Sequence, residues 1–394
     1  MDMKEMKEQS SGNNKRKGQA QGGVWCFCFV TIVLLLLSGC SLWIRLTPEK
    51  TYSSEERRML LERPKLTKKS VLRGRFQMKY ETYLGEQFPK RAQLVTLRTK
   101  LLRLLGERDA NGVYFGKDDY LLEQYRAQDF DWKQVKKNIR LTAAFLEQYP
   151  NAKAMFVPTK SGVLSSKLPM FAQAEADSRF FALAEKQMPK DRQILVSDVL
   201  KAHEQEYIYY RTDHHWTTLG AYYAYTAWAE GMGFTPLPAQ QFTVTPVCST
   251  FLGTTYAKVR TGGRADTIHL YEQNKAPKYT FEYNNGETEL DSFYDLSKLK
   301  GDDPYSVFFG GNQAIADISK EGAKGKKTLL MIKDSFGNCF APFAASHYAR
   351  TIVVDLRYVN LPVSKLLKIY PADDILILYN SAQFMKDKDI SKLK

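Results

Sequence analysis

Ser335, His215 and Asp213 are the side-chain types needed for nucleophilic acyl chemistry. Ser335 stands in Lys333-Asp334-Ser335-Phe336-Gly337, just after the apolar run 328–332. A serine that leaves a buried strand at a Gly-containing turn is exposed, with its backbone N–H facing the same cleft. Its hydroxyl needs a base to be nucleophilic at neutral pH. Asp213-His214-His215-Trp216 offers one. In Asp-x-His, the carboxylate orients one ring nitrogen while the other faces the nucleophile. Asn380 adds a side-chain N–H₂ suited to an oxyanion. Each group alone has an ordinary alternative. Asp213 suits a helix cap, His214 or His215 a core position, and Asn380 a turn. Together they are far more specific.

The elements that must position these groups follow from periodicity. Leu94, Leu97, Leu101 and Leu105 recur at helical spacing, so 92–106 reads as an amphipathic helix. Residues 132–149 read as a second helix, ended by Pro150. Strands at 152–157 and 194–199 alternate with helices at 178–188 and 217–232. Residues from about 237 to 327 break the pattern and read as a β-rich insertion. Alternation resumes with strands at 328–332, 351–354 and 374–379 and helices near 341–348 and 363–369. Short connections between such elements predict an α/β fold with a parallel sheet flanked by helices. Ligands bind such sheets at the carboxyl ends of the strands. Ser335, Arg357 with Tyr358, and Asn380 emerge there in turn.

The run Val24–Ile44 carries no charge and is long enough to span a bilayer. Lys15, Arg16 and Lys17 precede it, which favours an inside N-terminus and an outside main domain. This predicts a cytoplasmic tail at 1–23, polar and flexible, an anchor at 24–44, a basic juxtamembrane region at 45–125 and a catalytic domain at 126–394. Leu37-Ser38-Gly39-Cys40 also resembles a lipobox, so a lipoprotein held through Cys40 is the alternative. Of the net charge of +14, Arg45 to Arg108 contribute 17 Lys/Arg against 7 Glu, or +10. A basic collar beside a span suits anionic lipid or polymer rather than nucleic acid. Outside the span region only Cys248 and Cys339 remain, with no zinc spacing. Two buried free thiols are expected, and no metal or cofactor.

Arg211-Thr212-Asp213-His214-His215-Trp216-Thr217 resembles the signature of the DHHW proteins. These are similar to the AlgJ/AlgX-type alginate O-acetylation proteins, whose domain is SGNH-hydrolase-like (flavodoxin-like). Residues 53–63, Gln87-Phe88-Pro89-Lys90-Arg91, Gly310-Gly311-Asn312, Lys333-Asp334-Ser335-Phe336 and Val354-Asp355-Leu356-Arg357-Tyr358 resemble further blocks of the family. The resemblance implies catalytic Asp213, His215 and Ser335, with motif order permuted relative to ordinary SGNH esterases. Lys333 stands where those have Gly, and Arg357-Tyr358 where they have the oxyanion Gly. That leaves the oxyanion and substrate-binding roles of Asn380, Arg357 and Tyr358 open. His214 receives no catalytic role.

The function implied is O-acetyl transfer to a cell-surface polysaccharide through an acyl-serine. A carbohydrate esterase and a non-catalytic polysaccharide-binding scaffold are the alternatives. Acetyl-CoA does not cross a bilayer unaided. A multi-span membrane-bound O-acyltransferase is therefore the expected acyl donor; the +10 segment and the 94–105 helix either dock it or only space the domain from the bilayer. Asp-His-His also occurs in metal-dependent phosphoesterases, but those need further aspartates and a Gly-rich His segment that this sequence lacks.

Overall fold

A computed structural model describes residues 3–323 and 327–394. Residues 1–2 of the expected tail, and 324–326 at the end of the expected insertion, lie outside the described residues. The chain divides into two units, one of residues 1–54 with 58–94 and one of 55–57 with 95–394.

In the first unit, helix α1 runs Met3–Leu46 and contains the apolar stretch Val24–Ile44, none of it buried. The helix begins well inside the tail that was expected to be flexible, as the helix-forming Met, Lys, Glu and Gln there allow. Helix α2 is Arg75–Glu86. Glu86 accepts from Arg58 and from the Leu61 N–H, which ties the preceding loop down. Helix α3, Arg91–Leu104, crosses into the second unit. There Leu102 packs on Ala110, Val113, Leu121 and Val259. Leu94, Leu97, Leu101, Leu104 and Leu105 are all exposed, by 48–82%.

The second unit continues with α4 (Trp132–Gln148), β1 (Ala152–Val157), α5 (Ala176–Gln187), β2 (Gln193–Leu195) and α6 (Thr218–Gly231). Strands β3 (Phe242–Phe251) and β4 (Asp266–Gln273) form an antiparallel pair outside the main sheet. Then come β5 (Tyr279–Tyr283), β6 (Ile315–Lys320), β7 (Thr328–Lys333), α7 (Phe336–Ala345), β8 (Arg350–Val354), α8 (Val363–Ile369), β9 (Asp374–Asn380) and α9 (Ser381–Lys386). The central sheet has the order β5-β6-β8-β7-β9-β1-β2. Strands β8, β7, β9, β1 and β2 are parallel, and β6 is antiparallel to both its neighbours. The segment expected as an insertion therefore supplies both the outlying β3–β4 pair and two strands at the sheet edge.

The sheet is apolar on both faces because helices cover both. Met155, Leu329, Met331, Leu376 and Leu378 join one core, and Ala154, Leu330, Ile332, Ile375 and Ile377 the other. The chain leaves β7 for β8 on one side and then crosses to β9 on the other. This reversal opens a crevice at the carboxyl end of β7, where Ser335 stands. Helix α7 begins immediately after Ser335, several residues earlier than the sequence suggested. Gly337 permits this: a Cβ there would lie 2.6 Å from Lys333 Cβ. Cys339 is buried and Cys248 half-buried, and all five cysteines are free thiols.

Candidate active site

The Asp-x-His loop is held from both sides by buried charge. Lys160 Nζ donates to the carbonyls of Tyr210, Arg211 and Asp213 at 3.0, 3.3 and 2.7 Å. Asp266 accepts from the N–H groups of Arg211 and Thr212, both at 2.7 Å, and from the Thr212 and Tyr207 hydroxyls. Burial pushes the Lys160 amine down to about 8, against the raising effect of Glu123, Asp266 and Asp213. Removing the amine leaves the Tyr210 and Asp213 carbonyls without their donor, while the Arg211 carbonyl keeps the Leu121 N–H at 2.9 Å. Lys160→Met should therefore cost about 3 kcal/mol, read as a shift in the urea unfolding midpoint. An unchanged midpoint would show that water replaces the ammonium.

The loop delivers Asp213 and His215 to Ser335. His215 Nδ1 lies 2.5 Å from Asp213 Oδ1, and His215 Nε2 lies 2.7 Å from Ser335 Oγ. Asp213 Oδ1 also accepts from the His215 N–H at 3.0 Å, and Oδ2 accepts from Thr254 N–H and Oγ1 at 2.7 and 2.9 Å. Gly253 is required beside it, since a Cβ there would run into the Asp213 side chain. Asp213 does not cap the following helix; the Thr217 hydroxyl does. The imidazole lies flat on Tyr305, with ring centres 3.8 Å apart, and the Tyr305 hydroxyl donates to the Ser335 carbonyl at 3.2 Å. Burial would raise the Asp213 carboxyl, but the charges of His214 and His215 and the hydrogen bonds from His215 hold it well below its usual range. Burial and the neighbouring His214 push His215 down to about 4, although Asp213 opposes them. The arrangement holds an ionised Asp213 against a neutral His215 whose Nε2 can take the Ser335 proton.

Ser335 is the residue before α7, so its N–H stands at the positive end of that helix. Among the described residues this N–H meets no acceptor. Ser335 lines a cavity of about 360 Å³, together with His214, Thr254, Tyr305, Asn312 and Arg357.

The other expected groups are placed differently. Asn380 Nδ2 donates to the carbonyls of Val157 and Pro158 at 3.2 and 3.3 Å, and its Oδ1 caps the Ala382 N–H. Both amide protons are thus spent on backbone, and Asn380 has none left for an oxyanion. Lys333 does not enter the site. It is buried beneath it and pairs with Asp355 at 3.5 Å. Arg357 clamps the same Asp355 through two bonds of 2.9 and 2.6 Å while reaching the cavity wall. Tyr358 is 54% exposed, outside the cavity lining, with the Arg357 guanidinium over its ring. Asp334 ties the site together by accepting from the Phe336 and Asn380 N–H groups at 3.0 and 2.8 Å. His214 Nδ1 lies 2.7 Å from Thr254 Oγ1 and supports Asp213 through that hydroxyl.

Asp213, His214 and His215 place possible ligand atoms within 4.8 Å of one another. The set fits a metal poorly. His215 already spends one nitrogen on Asp213 and the other on Ser335, and both Asp213 oxygens are taken. Among the described residues this group contains one carboxylate, where phosphoesterase metal sites need several. Sequence reasoning missed Lys160, Asp266, Gly253, Thr254 and Tyr305. No motif marks them, because their partners lie 30–90 positions away.

The site thus lies at a strand end of a mostly parallel α/β sheet, with Asp213, His215 and Ser335 aligned there. The DHHW protein family model matches residues 180–354, so the resemblance seen in the motif holds over a stretch that contains Asp213, His215 and Ser335. Among solved structures, a DHHW family protein from Eubacterium siraeum is 24% identical. The match covers 72% of this chain and 95% of that one, with a TM-score of 0.58. Bacillus cereus PatB1, in a structure with a sulfonyl adduct, is 19% identical over 71% of this chain and 97% of its own, with a TM-score of 0.59. The O-acetyltransferase domain of Pseudomonas putida AlgJ is more distant, at 14% identity and a TM-score of 0.43; it covers 72% and 95% of the two chains. No curated protein matches the chain.

Proposed function

We propose that this chain is a membrane-anchored, extracytoplasmic O-acyltransferase that moves acetyl groups onto a cell-surface polysaccharide. The supporting observation is the line Asp213–His215–Ser335, with contacts of 2.5 and 2.7 Å at the mouth of a cavity. Ser335 Oγ attacks the acyl carbonyl while His215 Nε2 takes its proton. The Ser335 N–H, at the start of α7, stabilises the oxyanion. His215 returns the proton to the leaving group, which leaves acyl-Ser335. A sugar hydroxyl then attacks, losing its proton to His215, and the acyl–Ser335 bond breaks as His215 hands that proton back to Ser335 Oγ. Arg357 at the cavity wall is the residue proposed to meet the polymer. Helix α1 is the anchor, and a multi-span membrane-bound O-acyltransferase supplies the acyl group from within.

The test supplies an acyl donor together with oligosaccharides and follows product mass. Acetylated oligosaccharide supports the proposal. Acetate as the sole product, with every plausible polymer tried, would make the protein an esterase instead.

The pH dependence follows from His215. The base acts only when neutral, and its pKa is pushed down to about 4. Turnover of a nitrophenyl acetate should stay level as pH falls from about 7 to about 5, then drop as the imidazole protonates. An acid limb centred near the ordinary histidine value of about 6.5 would mean that the site is wetter than its geometry implies.

A further inference from the structure

Helix α3 has its apolar residues on the wrong side for a helix that packs on its own domain. Ala92 and Thr99 are buried and Leu102 is half-buried, and they define the inward face. Leu94, Leu97, Leu101, Leu104 and Leu105 lie opposite, at spacings that place them in one stripe. All five are between 48 and 82% exposed. A contiguous leucine stripe left in water marks a surface that something apolar covers. The charges say what covers it. The helix carries Arg91, Arg98, Lys100 and Arg103 and no acidic residue. At 100° per residue, Arg98 and Lys100 stand at the two edges of the stripe. Apolar residues along one line, with cations along its edges, suit acyl chains below and anionic head groups at the sides. An apolar helix long enough to cross a membrane lies in the same chain.

We propose that the leucine face of α3 lies in the head-group region of an anionic lipid surface. The helix is thus a second, interfacial contact beyond the spanning helix. This rests on the anchor reading of α1.

The test uses the full chain in nanodiscs whose lipids carry brominated acyl chains, with phosphatidylglycerol mixed into phosphatidylcholine. A dansylalanine replaces Leu101, Leu34 within α1, or Lys136 on the exposed side of α4, one at a time. The probe at 101 should lose about half its emission, as the probe at 34 does, while the probe at 136 loses none. Arg98→Glu combined with Lys100→Glu should restore emission at 101 and leave 34 unchanged. Quenching at 34 but not at 101 overturns the proposal and leaves the anchor standing, and a protein-covered stripe would give that result. No quenching at either position overturns both. Quenching at 101 that persists in pure phosphatidylcholine and in the double variant overturns the anionic-lipid occupant. Labelling of Ser335 by a sulfonyl fluoride reports that each variant is folded.

Discussion

Ser335→Ala lowers turnover of a nitrophenyl acetate by about 10⁴-fold or more and abolishes labelling by a sulfonyl fluoride. The change removes one oxygen and with it the hydrogen bond to His215 Nε2. Nothing else in the site depends on that oxygen. The Ser335 carbonyl still accepts from Tyr305, and Asp334 still caps the turn. The fold should therefore be unaffected, and the loss reads as chemistry alone. The residual rate comes from the oxyanion donor and from binding. The sulfonyl adduct in the PatB1 structure suggests the reagent. Turnover within tenfold of the parent protein would show that another group is the nucleophile.

Asp213→Asn lowers kcat by about 10⁴-fold through a different route. The carboxylate accepts four hydrogen bonds, two on each oxygen: from His215 Nδ1 and N–H, and from Thr254 N–H and Oγ1. An amide has one acceptor oxygen. If its NH₂ faces His215, the imidazole must turn its Nδ1 lone pair towards it. The proton then sits on Nε2, which can no longer take one from Ser335. If the NH₂ faces Thr254, donor meets donor and a buried N–H loses its partner, at about 1–3 kcal/mol. Either arrangement is costly, and the first removes the base. Kinetics together with urea unfolding separate the two. A variant with near-normal kcat would mean that Asp213 only shapes the loop.

These two expectations depend on contacts of different reach. Asp213 and His215 are two positions apart, and their pairing follows from a local loop, so the residue string alone suggested it. Ser335 is 120 positions from His215, yet its place at a strand end was also legible. A run of buried aliphatics followed by a Gly-containing turn states where a parallel strand ends, whatever the rest of the chain does. The alternating pattern through 328–380 foretold the order of strand ends in the same way. The apolar run Val24–Ile44 is likewise a matter of composition and length, which sequence states directly.

Where a side chain spends its hydrogen bonds is another matter. Asn380 has the type and the strand-end position of an oxyanion donor. Its amide is spent on carbonyls 222 and 223 positions away, because β1 lies beside β9 in the sheet. Lys333 sits one residue from Asp334 and two from Ser335. The alternation of a strand sends it below the site, to Asp355. Lys160 and Asp266 hold the Asp213–His215 loop through backbone groups, which carry no residue identity and so leave no pattern in the sequence. The leucines of α3 show the same limit. Helical periodicity established that they share a face, while only the packing of Thr99 and Leu102 decided that the face points outward. Local chain geometry and apolar pattern are properties of neighbouring residues. The destination of a polar side chain, and the side of a helix that meets the core, are fixed by groups brought close only when the whole sheet assembles.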